Sequence, residues 1–238
     1  MLYTLDLKNC TLNTITGKYK INGYMPCSKN LKIRINEFII PFSFFNINAN
    51  NNKFIISISS VDTTITIPIG NYNIITLCAE LNTLLTSYSI TVTYSQLTNK
   101  ITFTKTTSFD ILFASYKNNA DLLGFSPVNV SGTAITSDLS YKLLPRYITF
   151  HSEAIQNYNS GVISSGLSDY VDTIPINTSS GGQINFHNQY QNIFLMDENK
   201  TLINDNMYFC DDNGNIINFN GVHPVIKFEF KLYGENFI

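Results

Sequence analysis

The side chains most able to do chemistry are the three histidines, and their spacing argues against a catalytic or metal site. His151, His187 and His223 each stand alone in or beside a segment with strand character. None forms an HxH or HxxxH pair, the spacing that brings two imidazole nitrogens to one metal ion. The sequence therefore predicts no metal ligand and no catalytic histidine. His223 precedes Pro224 and is expected to shape the entry to the last strand.

Two runs look like reactive loops without having the required spacing. The DDNGN run at 211–215 is similar to part of a calcium loop, but the twelve-residue spacing and the closing Glu are missing. A hairpin turn is favoured over calcium because Asn-Gly tolerates the positive φ of tight turns. The GVISSG run at 161–166 lacks the GxSxG spacing of a nucleophile elbow. Ser164 and Ser165 are therefore interpreted as loop or strand-edge residues.

The four cysteines, Cys10, Cys27, Cys78 and Cys210, are widely separated and form no CxxC pair for zinc or redox work. We expect all four to be thiols. Cys78 lies within a predicted helix, where a small buried thiol is ordinary, and no basic residue stands nearby to lower its pKa. The sequence thus predicts no catalytic, cofactor-binding or metal-binding residues and no cofactor.

Composition excludes several classes of partner. The 15 Lys and Arg nearly balance the 17 Asp and Glu, and no basic run is present to neutralise a row of phosphates, so nucleic acid is not expected as a main partner. No apolar run approaches the roughly 20 residues of a membrane span, and the alternating N-terminal residues are not expected to act as a signal peptide. Charged residues make up only 13%. Such a neutral surface suits a subunit buried among neighbours, although an AT-rich codon bias gives the same composition.

Period-two alternation dominates the chain and predicts antiparallel strands with one buried face. The clearest case is 225–232, where Ile226, Phe228 and Phe230 alternate with charged residues. Further strands are predicted at 31–40, 54–59, 147–150, 171–176, 183–186, 207–210 and 216–219, with the 211–214 turn joining the last two. This spacing favours an all-β sandwich, and a single jelly roll of two antiparallel sheets fits it best.

One stretch, 63–138, has a different pattern and is predicted to be a small inserted α+β unit. A strand at 64–67 leads to a helix in which Ile74, Leu77 and Leu81 fall at helical spacing, with Asn73 placed as its N-cap. A hairpin of 90–94 and 101–104 follows, and then a helical turn at 119–125 closed by Gly124.

The remaining sequence is assigned to the two parts of the jelly roll, 1–62 and 139–238. Residues 1–30 could form an added edge strand or an arm that reaches a neighbouring subunit. The arm is favoured, and deletion of residues 1–20 is then expected to weaken assembly while leaving the monomer folded.

Several runs together resemble one family. They are FSFFNIN at 42–48, NNNKF at 50–54, ITIPIGNY at 65–72, the helix around Leu81-Asn82 and LLGFS at 122–126. Residues 164–175, Gly181-Gly182 and the closing segment 211–232 add to the likeness. The chain resembles penton and other minor capsid proteins of virophages, Polinton-like viruses and giant DNA viruses.

The resemblance implies a non-enzymatic structural protein of the virion, made and assembled in the host cell without secretion. As a penton it would form a homo-pentamer at each icosahedral vertex. Its partners would be a double-jelly-roll major capsid protein and other minor capsid proteins. One alternative is an attachment or glycan-binding module that stacks sugars on tyrosines such as Tyr158 or Tyr190. A hydrolase ranks last because the sparse acidic residues lie mostly in turns.

Overall fold

The computed structural model describes residues 2–14, 16–21, 31–153, 155–156, 170–187, 193–196 and 205–232. Strands dominate the described chain, and two α-helices lie near its middle. No helix among these residues is both long and apolar enough to cross a membrane. The strands are β1 (Leu2–Asp6), β2 (Thr11–Leu12), β3 (Tyr19–Lys20), β4 (Leu31–Pro41), β5 (Lys53–Ile58), β6 (Val61–Thr66), β7 (Thr91–Ser95), β8 (Lys100–Leu112), β9 (Asn129–Thr136), β10 (Tyr147–Ser152), β11 (Ile155–Gln156), β12 (Tyr170–Pro175), β13 (Gln183–His187), β14 (Ile193–Met196), β15 (Asn206–Cys210) and β16 (Val225–Leu232). The helices are α1 (Ile74–Leu85) and α2 (Lys117–Leu123), and single 3-10 turns occur at Leu7–Asn9, Thr86–Tyr88 and Phe113–Ser115.

The chain divides into two compact units. The sandwich unit comprises Met1–Phe44 and Arg146–Ile238, and the inserted unit comprises Phe45–Pro145. Each unit has its own cluster of buried apolar side chains.

The sandwich unit contains two antiparallel sheets whose strand order defines a jelly roll. One sheet runs β1-β16-β4-β14-β11, with β13 also pairing β4, and the other runs β12-β10-β15-β3-β2. We count β13 and β14 as one strand, leave out the short edge strands β2 and β11, and number the remaining eight strands in chain order. In these numbers the first sheet has the order one, eight, three, six, and the second has the order five, four, seven, two. This interleaving is the double Greek key of a jelly roll, so the predicted fold class is confirmed.

Phenylalanine rings fill the space between the two sheets of the sandwich unit. Phe38 of β4 contacts Phe150 of β10 and Phe209 of β15, with ring centroids 5.2 and 6.4 Å apart. All three side chains are fully buried or nearly so. Because β4 belongs to one sheet and the other two strands to the second, these edge-to-face contacts hold the sandwich together.

The described part of the N-terminal segment, residues 2–14 and 16–21, belongs to the sandwich, so for these residues the favoured prediction of an arm is wrong. β1 pairs antiparallel with β16 over five residue pairs, Leu2↔Glu229 to Asp6↔Val225. β3 pairs with β15 in the opposite sheet. Leu5, Leu7 and Tyr19 are buried in the core. The alternative interpretation as an edge strand describes β1 correctly, because the buried side chains at its end draw the segment onto the sandwich.

The inserted unit packs two helices against a five-stranded antiparallel sheet. Its order is β6-β5-β8-β7, and β9 pairs with β8 along the opposite side. Helix α1 begins with a capping box, since Asn73 Oδ1 accepts from the Thr76 N–H while Thr76 Oγ1 accepts from the Asn73 N–H. Helix α2 ends at Gly124, whose φ of 81° is the left-handed conformation expected at that position.

The inserted unit is larger than the predicted 63–138. Residues 54–59 had been assigned to the sandwich, but the observed strand, β5, pairs with β6 and β8. Its Phe54 is fully buried and lies 6.1 Å from the rings of Phe103 and Phe113. Alternation reveals a strand but not its partner, which is why the boundary was misplaced.

The strand predicted at 216–219 is also absent. Cys210 and Ile216 form an isolated bridge, and the Ile217 N–H donates to the Phe209 carbonyl. Ile217 and Phe219 are buried, so their alternation reflects core packing of an irregular segment.

Candidate functional site

The three histidines lie in different surroundings. His151 is buried and stacks on Tyr208, with centroids 4.7 Å apart and an interplanar angle of 10°, and its Nε2 lies 3.0 Å from Thr149 Oγ1. His187 is exposed, 3.4 Å from Glu37. His223 Nδ1 lies 3.2 Å from the Tyr19 hydroxyl, so it fixes a core tyrosine near the start of β16. Within the described ranges, no group of three or more His, Cys, Asp or Glu residues could hold a metal ion.

The two carboxylates of the DDNGN run accept hydrogen bonds from backbone and side-chain groups of the protein. Asp211 Oδ1 accepts from the N–H groups of Asn213 and Asn215, and its Oδ2 accepts from Asn215 Nδ2. Asp212 Oδ2 accepts from the backbone N–H and Nε of Arg146. Gly214 has a φ of 81°. The geometry is that of a turn held by an aspartate, which is the interpretation favoured from the sequence.

Among the other candidate residues, burial raises the pKa of the Cys78 thiol, which disfavours the nucleophilic thiolate. Cys10 and Cys210 are thiols in the structure as well. Cys27, Ser164, Ser165, Tyr158 and Tyr190 lie outside the described residues.

The outer face of the β4 sheet carries paired charges. Arg34 pairs with Glu229, and Lys227 pairs with Glu37, each across adjacent strands in register. Next to them, an open groove of about 430 Å³ is lined by Ile39, Pro41, Gly181, Gly182, Gln183, Val222, His223 and Val225. Each of these charged side chains has an oppositely charged partner on the neighbouring strand. The groove contains one imidazole, that of His223, on an apolar surface. This face suits packing against a neighbour better than acid–base chemistry.

The carboxyl of Asp172 on β12 has a strongly shifted pKa. Burial raises its pKa to about 6, and a hydrogen bond from the Thr173 N–H partly opposes the shift.

Asparagine side chains fasten the backbone of the inserted unit. Asn46 Oδ1 accepts from the Tyr72 N–H at 2.9 Å while its Nδ2 donates to the Tyr72 carbonyl at 2.7 Å. In α1, Asn82 Oδ1 accepts from the N–H of Val92 in β7, and Asn82 Nδ2 donates to the Val92 carbonyl, both at 2.8 Å. Each amide therefore substitutes for a strand neighbour. Asn82 thus closes the outer edge of β7 at Val92 and joins the helix to the sheet.

Two other edges of the same sheet have no such closure among the described residues. Within that part of the chain, β6 pairs only with β5, and β9 pairs only with β8. Asp62, Thr64, Ala134 and Thr136 are exposed. Sequence reasoning missed both the Asn82 closure and these edges. An Asn in the interior of an amphipathic helix is unfavourable for helix formation, so Asn82 was the available signal for the first.

No family model matches the chain, and no curated protein matches it. Among solved structures, the chain is similar to the crystal structure of a mavirus penton protein. The TM-score is 0.50, the sequence identity is 11%, and the match covers 98% of each chain. At this identity the likeness concerns the fold. The resemblance to penton proteins predicted from sequence motifs is therefore confirmed at the level of the fold, over a length that includes both units.

Proposed function

We propose that this chain is a structural capsid protein, and that it serves as the penton subunit, five copies of which close each icosahedral vertex. The observation that carries the proposal is the likeness of fold to a mavirus penton protein over 98% of both chains. A match of that extent takes in the jelly roll and the insertion between its third and fourth strands, so it concerns the whole architecture and not only a common sandwich.

The surface of the chain supports a role among protein neighbours. Charged residues make up 13% of the sequence, and the described outer face of the β4 sheet pairs its charges across strands. A neutral surface costs little to desolvate, so it can be buried against other subunits without stranding charges. In this role the partners are further copies of the chain, a double-jelly-roll major capsid protein and other minor capsid proteins.

The proposed role is structural and requires neither catalysis nor a cofactor. Its place is the virion, which the chain would reach by assembly inside the host cell. The net charge of −2 offers no attraction to the packaged nucleic acid.

The location of the protein in purified capsids tests the proposal. An antibody fragment against this chain, bound to intact particles and imaged by electron cryomicroscopy, should add density at the five-fold vertices alone. Quantitative mass spectrometry of the same particles should give five copies per vertex. Label spread over the facets would overturn the penton assignment and leave another minor capsid role. Absence of the chain from purified particles would overturn the capsid role itself.

A further inference from the structure

The inserted unit carries two open edges, which we define as the outer sides of β6 and β9. Natural sheets usually protect an edge with Lys, Pro, a bulge or a covering element. β6 (VDTTIT) contains one charge, at Asp62, and β9 (NVSGTAIT) contains none, and neither contains Pro or Lys. β7 belongs to the same sheet, but its edge differs from these two because Asn82 bonds it.

Backbone geometry shows which groups of β6 face outward. Ser59 and Ser60 have φ values of 53° and 63° and form a two-residue turn between the paired residues Ile58 and Val61. In such a hairpin the closing pair is hydrogen-bonded, and every second pair after it is as well. The intervening residues, Asp62, Thr64 and Thr66, therefore direct their N–H and C=O groups to the open edge.

The same argument applies to β9. The Ser137 N–H donates to the Ile101 carbonyl, which places Ile135↔Phe103 among the hydrogen-bonded pairs. Ala134 and Thr136 then direct their backbone groups away from β8. The 2.9 Å contact between the Thr102 and Thr136 hydroxyls fits the closer side-chain spacing of a non-hydrogen-bonded pair.

We propose that β6 of one copy adds to β9 of a neighbouring copy, so that the inserted units join head to tail in one continuous sheet. This inference rests on the proposed capsid role, which brings identical copies side by side. The occupant is a second copy because the two open edges are different surfaces at opposite sides of one sheet. A contact between unlike surfaces generates a closed ring when the rotation between copies closes. Backbone hydrogen bonds supply the attraction, and no desolvated charge except that of Asp62 opposes it.

Mixed cross-linking of the assembled chain tests the contact. In full-length protein with its four native cysteines replaced by alanine, one preparation carries Thr64→Cys and the other Ala134→Cys. After mixing and assembly, a short bis-maleimide should link the two preparations to each other, about 10-fold more than it links either to itself. Thr93→Cys replaces Thr64→Cys in the control, since Thr93 is also exposed but lies on β7, next to Val92, whose backbone groups Asn82 occupies. Its yield should stay at background.

Hydrogen exchange of the unmodified protein provides a second measurement that needs no variant. The amides of Asp62, Thr64 and Thr66 should exchange about 10-fold more slowly in the assembled protein than in the monomer. A ring of five that forms without mixed cross-links and without this protection would overturn the strand addition and leave the penton proposal standing. Self-links of Thr64→Cys alone would show a symmetric contact and would also overturn it. Failure to form any five-fold assembly would instead count against the proposed function.

Discussion

The sandwich unit and the inserted unit are both antiparallel β structures, yet their strands come together over very different stretches of chain. In the sandwich, β1 pairs with β16, so that Leu2 lies opposite Glu229. In the inserted unit, β5 pairs with β6 across a two-residue turn, and β7 pairs with β8 across a short loop. The insertion thus combines local hairpins and a capped helix with the pairings of β8 to β5 and β9, all inside its own residues, whereas the sandwich requires both ends of the chain.

This difference indicates how an insertion of Phe45–Pro145 is tolerated between β4 and β10. Its two hairpins, β5–β6 and β7–β8, close only short loops, and such local contacts favour rapid formation. The core of the inserted unit consists of its own residues, so it does not depend on the sandwich for its core.

Deleting residues 1–20 provides the largest expected effect and separates the two units. The sandwich should lose its native fold, because β1, β3 and the buried residues Leu5, Leu7 and Tyr19 are removed together. Residues 45–145 of the same variant should remain folded. Amide hydrogen exchange resolved by segment provides the measurement. Native protection of β4 and β16 in the truncated chain would contradict the described role of the N-terminal strands.

Replacing one central phenylalanine in each core sharpens the comparison. Phe38→Ala should destabilise the sandwich by about 3–5 kcal/mol, and Phe103→Ala should destabilise the inserted unit by a similar amount, because both rings are fully buried. Each substitution should lower the urea concentration at which its own unit unfolds. Segment-resolved hydrogen exchange in urea measures this for each unit. Equal shifts of both units from either substitution would show that the two cores unfold as one.

The pH dependence of stability should distinguish the sandwich from the insertion through Asp172. Burial raises its pKa to about 6 from the usual 3.8, so between these values the folded state keeps a proton that the unfolded state has lost. Stability of the sandwich should therefore fall as pH rises from about 4 to about 6, by about 2 kcal/mol. Asp172→Asn should remove this part of the pH dependence and raise stability at pH 7. Urea denaturation at several pH values measures it, and an unchanged profile in the variant would count against the assignment.

Removing an asparagine closure tests how the inserted unit holds its helix to its sheet. Asn82→Ala removes both hydrogen bonds to Val92 and should cost about 1–3 kcal/mol, since the strand's backbone groups lose their partner. Asn118→Ala is a matched control, because Asn118 makes one long, solvent-exposed bond of 3.3 Å to the Asn50 carbonyl. Its cost should stay below about 0.5 kcal/mol. Urea denaturation followed on the inserted unit compares the two, and equal costs would show that the closure contributes no special stability.

The smallest expected effect concerns the β5–β6 turn. Ser59 and Ser60 both adopt positive φ, which serine tolerates poorly and the Asn-Gly dipeptide prefers. The double substitution Ser59→Asn and Ser60→Gly should stabilise the inserted unit by about 0.5–1 kcal/mol. Thermal denaturation measures the gain. A loss of stability would indicate that the serine side chains contribute contacts of their own.

Much of this architecture could be predicted from local sequence. The alternation at 225–232 predicted β16 with the observed bounds, and the Asn73 cap predicted the start of α1 at Ile74. Partners could not be predicted, because period-two alternation specifies which face of a strand is buried and not which strand lies beside it. For that reason Phe54 was assigned to the wrong core and residues 1–30 were interpreted as an arm. The Asn82 closure was hidden because amides are so frequent in this chain.

The mass of the purified full-length chain, measured by light scattering at increasing concentration and followed by averaging of particle images, tests the central claim most directly. The account predicts a species of five times the 26.9 kDa chain mass with five-fold symmetry. A mass that remains that of the monomer at all concentrations, or that stops at a dimer or trimer, would contradict it.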